Sequence, residues 1–230
     1  MSRLEHRKRL HEACRNGDVN IIRLMMLQGA AGWNWGLHAA GEGGHLNIVH
    51  WMIEKGAKDW VLGLHGACIG GNVDIIQLMM DKGATDWNLG LGGACRGGHL
   101  NIVHWMIEKG ANDWNIGLYG ACLRDDLNLV LFMIERGATN WTWGLEGACH
   151  EGHLGIAALM VDQGATDVTC LLRLSPDQQY EIYKQVKKRE SRVRLQSLPA
   201  IQEKIRVMCF KVLSEKLPED LSRSIVAQYL

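Results

Sequence analysis

The feature that most limits what this chain can fold into is a repeat. Gly-Ala pairs begin at Gly29, Gly56, Gly83, Gly110, Gly137 and Gly164, each 27 residues after the one before. Trp33, Trp60, Trp87, Trp114 and Trp141 keep that step, and so do Leu37, Leu64, Leu91, Leu118, Leu145 and Leu172. Residues 45–57 and 99–111 are identical, HLNIVHWMIEKGA. A fixed period of about 20–50 residues marks a stack of small units, none of which can bury its apolar face alone.

Each unit reads as two helices. Leu64, Ala67 and Cys68 stand at i, i+3 and i+4, which puts one apolar face on a short first helix. Gly70-Gly71 breaks it. Val73, Ile75, Ile76, Leu78, Met79 and Met80 supply a longer, more apolar second helix. Gly83 stands where a helix C-terminus wants a residue that enters the left-handed region cheaply. The series Gly66, Gly93, Gly120 and Gly147 falls inside the first helix, where glycine costs about 1 kcal/mol relative to alanine. Four copies predict that another chain segment passes close by, and the Trp of the joint is the candidate.

Composition narrows the class. The chain of 230 residues is 47% hydrophobic and 22% charged, which excludes wholesale disorder. No apolar run approaches the roughly 18–20 residues of a membrane span. The basic N-terminus has no apolar stretch behind it, so no secretory signal is read there. The seven cysteines are therefore expected reduced, in the cytoplasm, with the nucleus as the second compartment. Residues 1–170 hold 13 basic and 18 acidic side chains, and residues 171–230 hold 12 and 7. That shift places a boundary near 170, between a repeat array (1–170) and a C-terminal helical region (171–230).

Leu64-His65-Gly66-Ala67-Cys68, Gly98-His99-Leu100 and Gly110-Ala111 together resemble the ankyrin repeat over roughly residues 10–170. The fold this implies is all-α: an ankyrin-like helical solenoid of six 27-residue helix-turn-helix repeats with a C-terminal helical region. The family's repeat is about 33 residues, and the deficit here falls where that family builds a projecting finger. Thr85-Asp86-Trp87-Asn88 is all that is expected between Gly-Ala and the next helix, with little or no strand and a Trp plugging each joint. Such short Trp-rich repeats look like those of large DNA viruses that infect eukaryotic cells, which would make the compartment the host cytoplasm.

Comparing the copies with one another separates packing from binding. Positions identical in every copy are most simply packing positions, the Trp33 series among them. The variable positions are Trp35 and Trp143 at the helix start; His38, His65, Tyr119 and Glu146 after the fixed Leu; and Glu42, Ile69, Arg96 and His150 after the Cys position, with Arg124 beside them. In ankyrin-like proteins this helix lines the concave face where protein partners dock. Trp, Tyr and Arg are favoured interface anchors.

No metal or other cofactor is expected. Cys95 and His99, and Cys149 and His153, have a zinc-like spacing, but the Cys takes a small apolar position and the His follows a turn, where it can hydrogen-bond locally. Disulfides among Cys68, Cys95, Cys122 and Cys149 are not expected, since stacked repeats hold equivalent residues too far apart. No nucleophile elbow, phosphate loop or His-Glu-x-x-His motif is present, and no enzyme is read.

Beyond 170, Leu172 keeps step and predicts the start of a seventh first helix. Ser175-Pro176-Asp177 reads as a helix start, with the helix running to about 194. Two more helices are expected over 200–214 and 219–229. The basic run at 184–194 reads as a solvated helix face, so nucleic acid is not an expected partner. Leu217, Pro218, Leu221, Ile225 and Leu230, within 216–230, resemble the first helix of an F-box, as in the truncated F-box that ends poxvirus ankyrin proteins. The resemblance implies docking on the Skp-type adaptor of a cullin–RING ubiquitin ligase. The other reading is a helix that caps the apolar end of the stack.

Overall fold

The computed structural model describes residues 3–190. Among these residues are thirteen α-helices, one 3-10 turn and no strand, so the fold is all-α. They divide into two compact units between Ala138 and Thr139.

The first unit holds five helix pairs. These are α1 (Arg3–Asn16) with α2 (Val19–Leu27), α3 (Trp33–Gly43) with α4 (Leu46–Glu54), α5 (Trp60–Gly70) with α6 (Val73–Asp81), α7 (Trp87–Gly97) with α8 (Leu100–Glu108), and α9 (Trp114–Arg124) with α10 (Leu127–Glu135). The first helices pack side by side in chain order, and each carries its own second helix. The core is a set of rows. Leu37, Leu64, Leu91 and Leu118 are fully buried, as are Met52, Met79, Met106 and Met133. Burying each such side chain is worth about 1.5–3 kcal/mol, and the neighbouring repeat completes the cover.

The Trp series is not in the loops. Trp60, Trp87 and Trp114 open their helices, half-buried, one residue after an acidic cap. Asp59, Asp86 and Asp113 accept from the backbone N–H groups of Leu62, Leu89 and Ile116. An Asp at this position satisfies donors that a helix start leaves unpaired. The connection is therefore shorter than the sequence reading expected: only Thr85-Asp86 stands between Gly83-Ala84 and the start of α7. At the other end of α6, the Gly83 N–H donates to Met80 O at 2.9 Å and the Ala84 N–H to Met79 O at 3.0 Å. With Gly83 at φ +101°, this is the paired-bond stop that turns a helix sharply.

The segment that passes close to the mid-helix glycines is not the Trp. A Cβ on Gly66 would collide with the His38 carbonyl, one on Gly93 would stand 2.7 Å from His65 O, and one on Gly120 would collide with Gly92 O. The neighbour is the backbone of the preceding first helix. A second glycine row, three residues earlier, admits the second helix of its own repeat: a Cβ on Gly63, Gly90 or Gly117 would stand 2.5, 2.6 or 2.5 Å from the sulfur of Met79, Met106 or Met133.

The second unit holds α11 (Trp141–Glu151), α12 (Leu154–Gln163), the 3-10 turn η1 (Thr169–Arg173) and α13 (Pro176–Glu190). The α12 helix packs on α11 and α13, and η1 packs on α11. A seventh first helix does not form at Leu172. The chain makes a single 3-10 turn there, Leu171 is 1% exposed and Leu172 is 57% exposed. The buried leucine has slipped by one position, because no glycine follows at the 27-residue step to admit another helix. Ser175 does cap α13. Its Oγ accepts from the Gln178 N–H at 3.3 Å while Gln178 Oε1 accepts from the Ser175 N–H at 2.8 Å. The helices expected over 200–214 and 219–229 lie outside the described residues, as do Leu217, Pro218, Leu221, Ile225 and Leu230.

Candidate functional site

The variable positions of the first unit all lie on first helices. Trp35 and Arg96 are exposed; Glu42, His65, Ile69 and Tyr119 are half-buried. His38 is different. It is 7% exposed, closed in by its neighbours, and offers little surface to a partner.

Those neighbours form a row of rings one repeat apart. His11 of α1 stacks on His38 of α3 with centroids 6.0 Å apart, and His38 meets His65 of α5 at 5.2 Å. His38 Nε2 lies 3.1 Å from His65 Nδ1, a hydrogen bond. Trp35 meets His38 edge-on at 6.2 Å, and the Arg7 guanidinium lies 6.0 Å from the Trp35 ring. Sequence reasoning took His38 and His65 as separate surface residues. Their common 27-residue step, shared with His11, was the signal that they meet.

Burial sets their chemistry. Loss of water pushes His38 down to about 3, with the adjacent His65, His11, Arg96 and Arg15 acting in the same direction. Burial and then Arg96 push His65 down to about 4. Both rings are neutral near pH 7. One turn along, Arg15 pairs with Glu42 at 2.9 Å; the Arg side chain is 56% exposed and the Glu side chain 9%.

Arg124 and Asp125 stand where three copies have a Gly-Gly turn, Gly43-Gly44, Gly70-Gly71 and Gly97-Gly98. Asp125 takes φ +67°, the left-handed position held elsewhere by Gly44, Gly71 and Gly98. The Arg124 guanidinium lies against Gly98, where His99 covers Gly71 in the repeat before. In the second unit Trp143 is half-buried, Glu146 and His150 are exposed, and His150 Nδ1 lies 3.0 Å from Glu151.

The Cys95 and His99 pair is not built as a ligand set. His99 Nε2 turns away to Ile69 O at 3.0 Å, a bond between repeats that His45 and Asn72 also make, to Arg15 O at 3.1 Å and Gly41 O at 3.0 Å. The expected local hydrogen bond is thus a cross-repeat one. Burial pushes the Cys68, Cys95 and Cys122 thiols up to about 12, so they sit protonated as small apolar groups.

Two features escaped the sequence reading. Leu46, Val73, Leu100 and Leu127 open their second helices and stay exposed, so a position that is apolar in every copy is not always a packing position. A shallow pocket of about 380 Å³ opens where α3 meets α5, lined by Trp33, Asn34, Trp35, Asp59 and Leu62 among others.

No helix among the described residues is long and apolar enough to cross a membrane. No protein-family model matches the chain, and no curated protein does. Among solved structures, the crystal structure of the human ASB11 ankyrin repeat domain is similar, with a TM-score of 0.41 and 21% sequence identity, covering 76% of this chain and 96% of that one.

Proposed function

We propose that this chain is a non-catalytic protein-binding module whose partner docks along the first helices. One observation carries the reading. Where repeat packs on repeat, the residue is nearly the same in every copy: Leu, Ala, Cys and Met, fully buried. Along the accessible edge of those helices the chemistry changes from copy to copy, through Trp35, Ile69, Arg96 and Tyr119. An accessible surface that mixes aromatic, aliphatic and cationic groups suits recognition of another protein.

The finer reading is an adaptor. Leu217, Pro218, Leu221, Ile225 and Leu230 would dock on a Skp-type adaptor of a cullin–RING ligase, and the repeats would hold the target beside it. The contribution would be effective concentration, with no covalent step on this chain. The sequence order supports this, with the F-box-like segment following the repeats. The test is a pull-down from eukaryotic cell extract, comparing the full chain with one truncated after Ser214. Adaptor and cullin with the full chain alone would support the adaptor. Their absence from both leaves the module a scaffold or decoy that masks its partner. Loss of the remaining partners on Arg96→Glu or Tyr119→Ala, with the fold intact, is expected if the first helices are the docking face.

A further inference from the structure

We propose that His11, His38 and Glu42 form a binding site for a divalent transition-metal ion with the ligand preferences of zinc, joining the first two repeats. An imidazole nitrogen of His11, an imidazole nitrogen of His38 and a carboxylate oxygen of Glu42 all lie within 4.8 Å of one another. His38 and Glu42 stand four apart on α3 and so share one face of the helix. His11 faces them from α1.

The second observation is an orphaned atom. His38 is buried, its Nε2 is engaged by His65, and its Nδ1 has no hydrogen-bond partner. A buried polar nitrogen left unpaired costs about 1–3 kcal/mol, so native structures rarely leave one without a partner. The bond to His65 couples the tautomers of the two rings. When His65 Nδ1 accepts, the Nε2 of His38 carries the proton and Nδ1 presents its lone pair. A hydrogen bond from the far nitrogen orients a metal-binding histidine in this way.

Two imidazoles and a carboxylate with a fourth position open is an established ligand set for zinc. Tetrahedral ligands about 2.0–2.1 Å from the ion stand about 3.4 Å apart, so the three groups close on an ion through side-chain torsions. Arg15 pairs with Glu42 Oε1 and competes with a metal for the carboxylate. The Arg side chain is mostly in water and leaves readily, whereas the carboxylate is buried and stays.

The test uses the full chain, stripped of metal with a chelator and titrated with Co2+, then with Zn2+ in competition. Saturable uptake of one equivalent is expected, with the visible d–d absorption of a nitrogen–oxygen site and without thiolate charge-transfer bands. His11→Ala and Glu42→Gln are expected to weaken binding tenfold or more while the circular dichroism spectrum is unchanged, and His50→Ala, on the exposed face of α4, to leave it intact. His65→Leu keeps all three ligands and is expected to weaken binding about 10–100-fold through loss of tautomer control. Absence of saturable Co2+ binding, undiminished binding in both ligand variants, or thiolate charge-transfer bands would each overturn the site.

Discussion

The carbonyl oxygen of His65 lies 2.7 Å from the point where a Cβ on Gly93 would stand. Successive first helices therefore touch backbone to backbone, and Gly93 is there to allow it. Alanine is the better helix former by about 1 kcal/mol. Here the clash reverses the sign.

Gly93→Ala is expected to destabilise the fold by about 1–3 kcal/mol, the usual cost of overpacking. Gly155→Ala is the control. Gly155 lies in α12 with nothing within 4 Å of its added Cβ, so the same substitution is expected to stabilise by about 0.5–1 kcal/mol. Urea unfolding of both variants decides it. Equal signs would mean that the close approach of α5 and α7 is wrong.

Acid weakens the fold through the histidine row. His38 at about 3 and His65 at about 4 both lie below the ordinary value of 6.5. As pH falls below 6.5, the unfolded chain takes up protons that the folded chain refuses until those lower values are reached. Stability is thus full above 6.5 and is lost on acidification, by up to about 1.4 kcal/mol per pH unit for each ring. Urea midpoints measured with chelator from about pH 7 to about pH 4 are expected to fall, and His65→Gln to flatten the slope. An unchanged slope in that variant would remove the row as the cause.

The joints between repeats are tied unevenly. Asn34 Oδ1 accepts from the backbone N–H of Lys58 at 2.8 Å and of Asp59 at 3.2 Å, and Asn88 Oδ1 from Asn112 and Asp113 at 2.8 and 2.9 Å. Val61 holds the equivalent place between them and has no side-chain acceptor to offer. Val61→Asn is expected to stabilise by about 1 kcal/mol, raising Tm by about 2–4 °C. A lower Tm would show that the packing of Val61 outweighs the tie.

Cys149 and Cys170 have their sulfurs 3.3 Å apart, both reduced. The hydrogen they share raises Cys149 and holds Cys170 down, so Cys170 ionises first. Diamide is expected to join the two, with electrons passing to the oxidant, and peptide mapping to find their peptides linked. Recovery of both as separately alkylated thiols would contradict the contact.

Much of the fold was legible because repetition multiplies weak signals. One Gly-Ala pair says little, whereas six in step fix the helix ends, and their φ values follow. The Leu64, Ala67 and Cys68 face was read from spacing and is buried as read. Leu172 shows the limit. It keeps the sequence step, but the local chain makes only a 3-10 turn and buries Leu171 instead. Periodicity reports the pattern and cannot by itself report where the pattern stops being used.

What the sequence by itself determined was the unit: two short helices, their glycine stops, their buried stripes and the fixed step from one copy to the next. Local backbone preference and apolar spacing are written in consecutive residues and can be read there. Only the tertiary structure decided which residues meet across the step. His11, His38 and His65 are 27 apart in sequence and stand as one row of rings. Gly66 faces the carbonyl of His38, not a tryptophan. These contacts depend on how closely one helix lies against the next, and that distance is set by the packing of whole repeats, not by any residue alone.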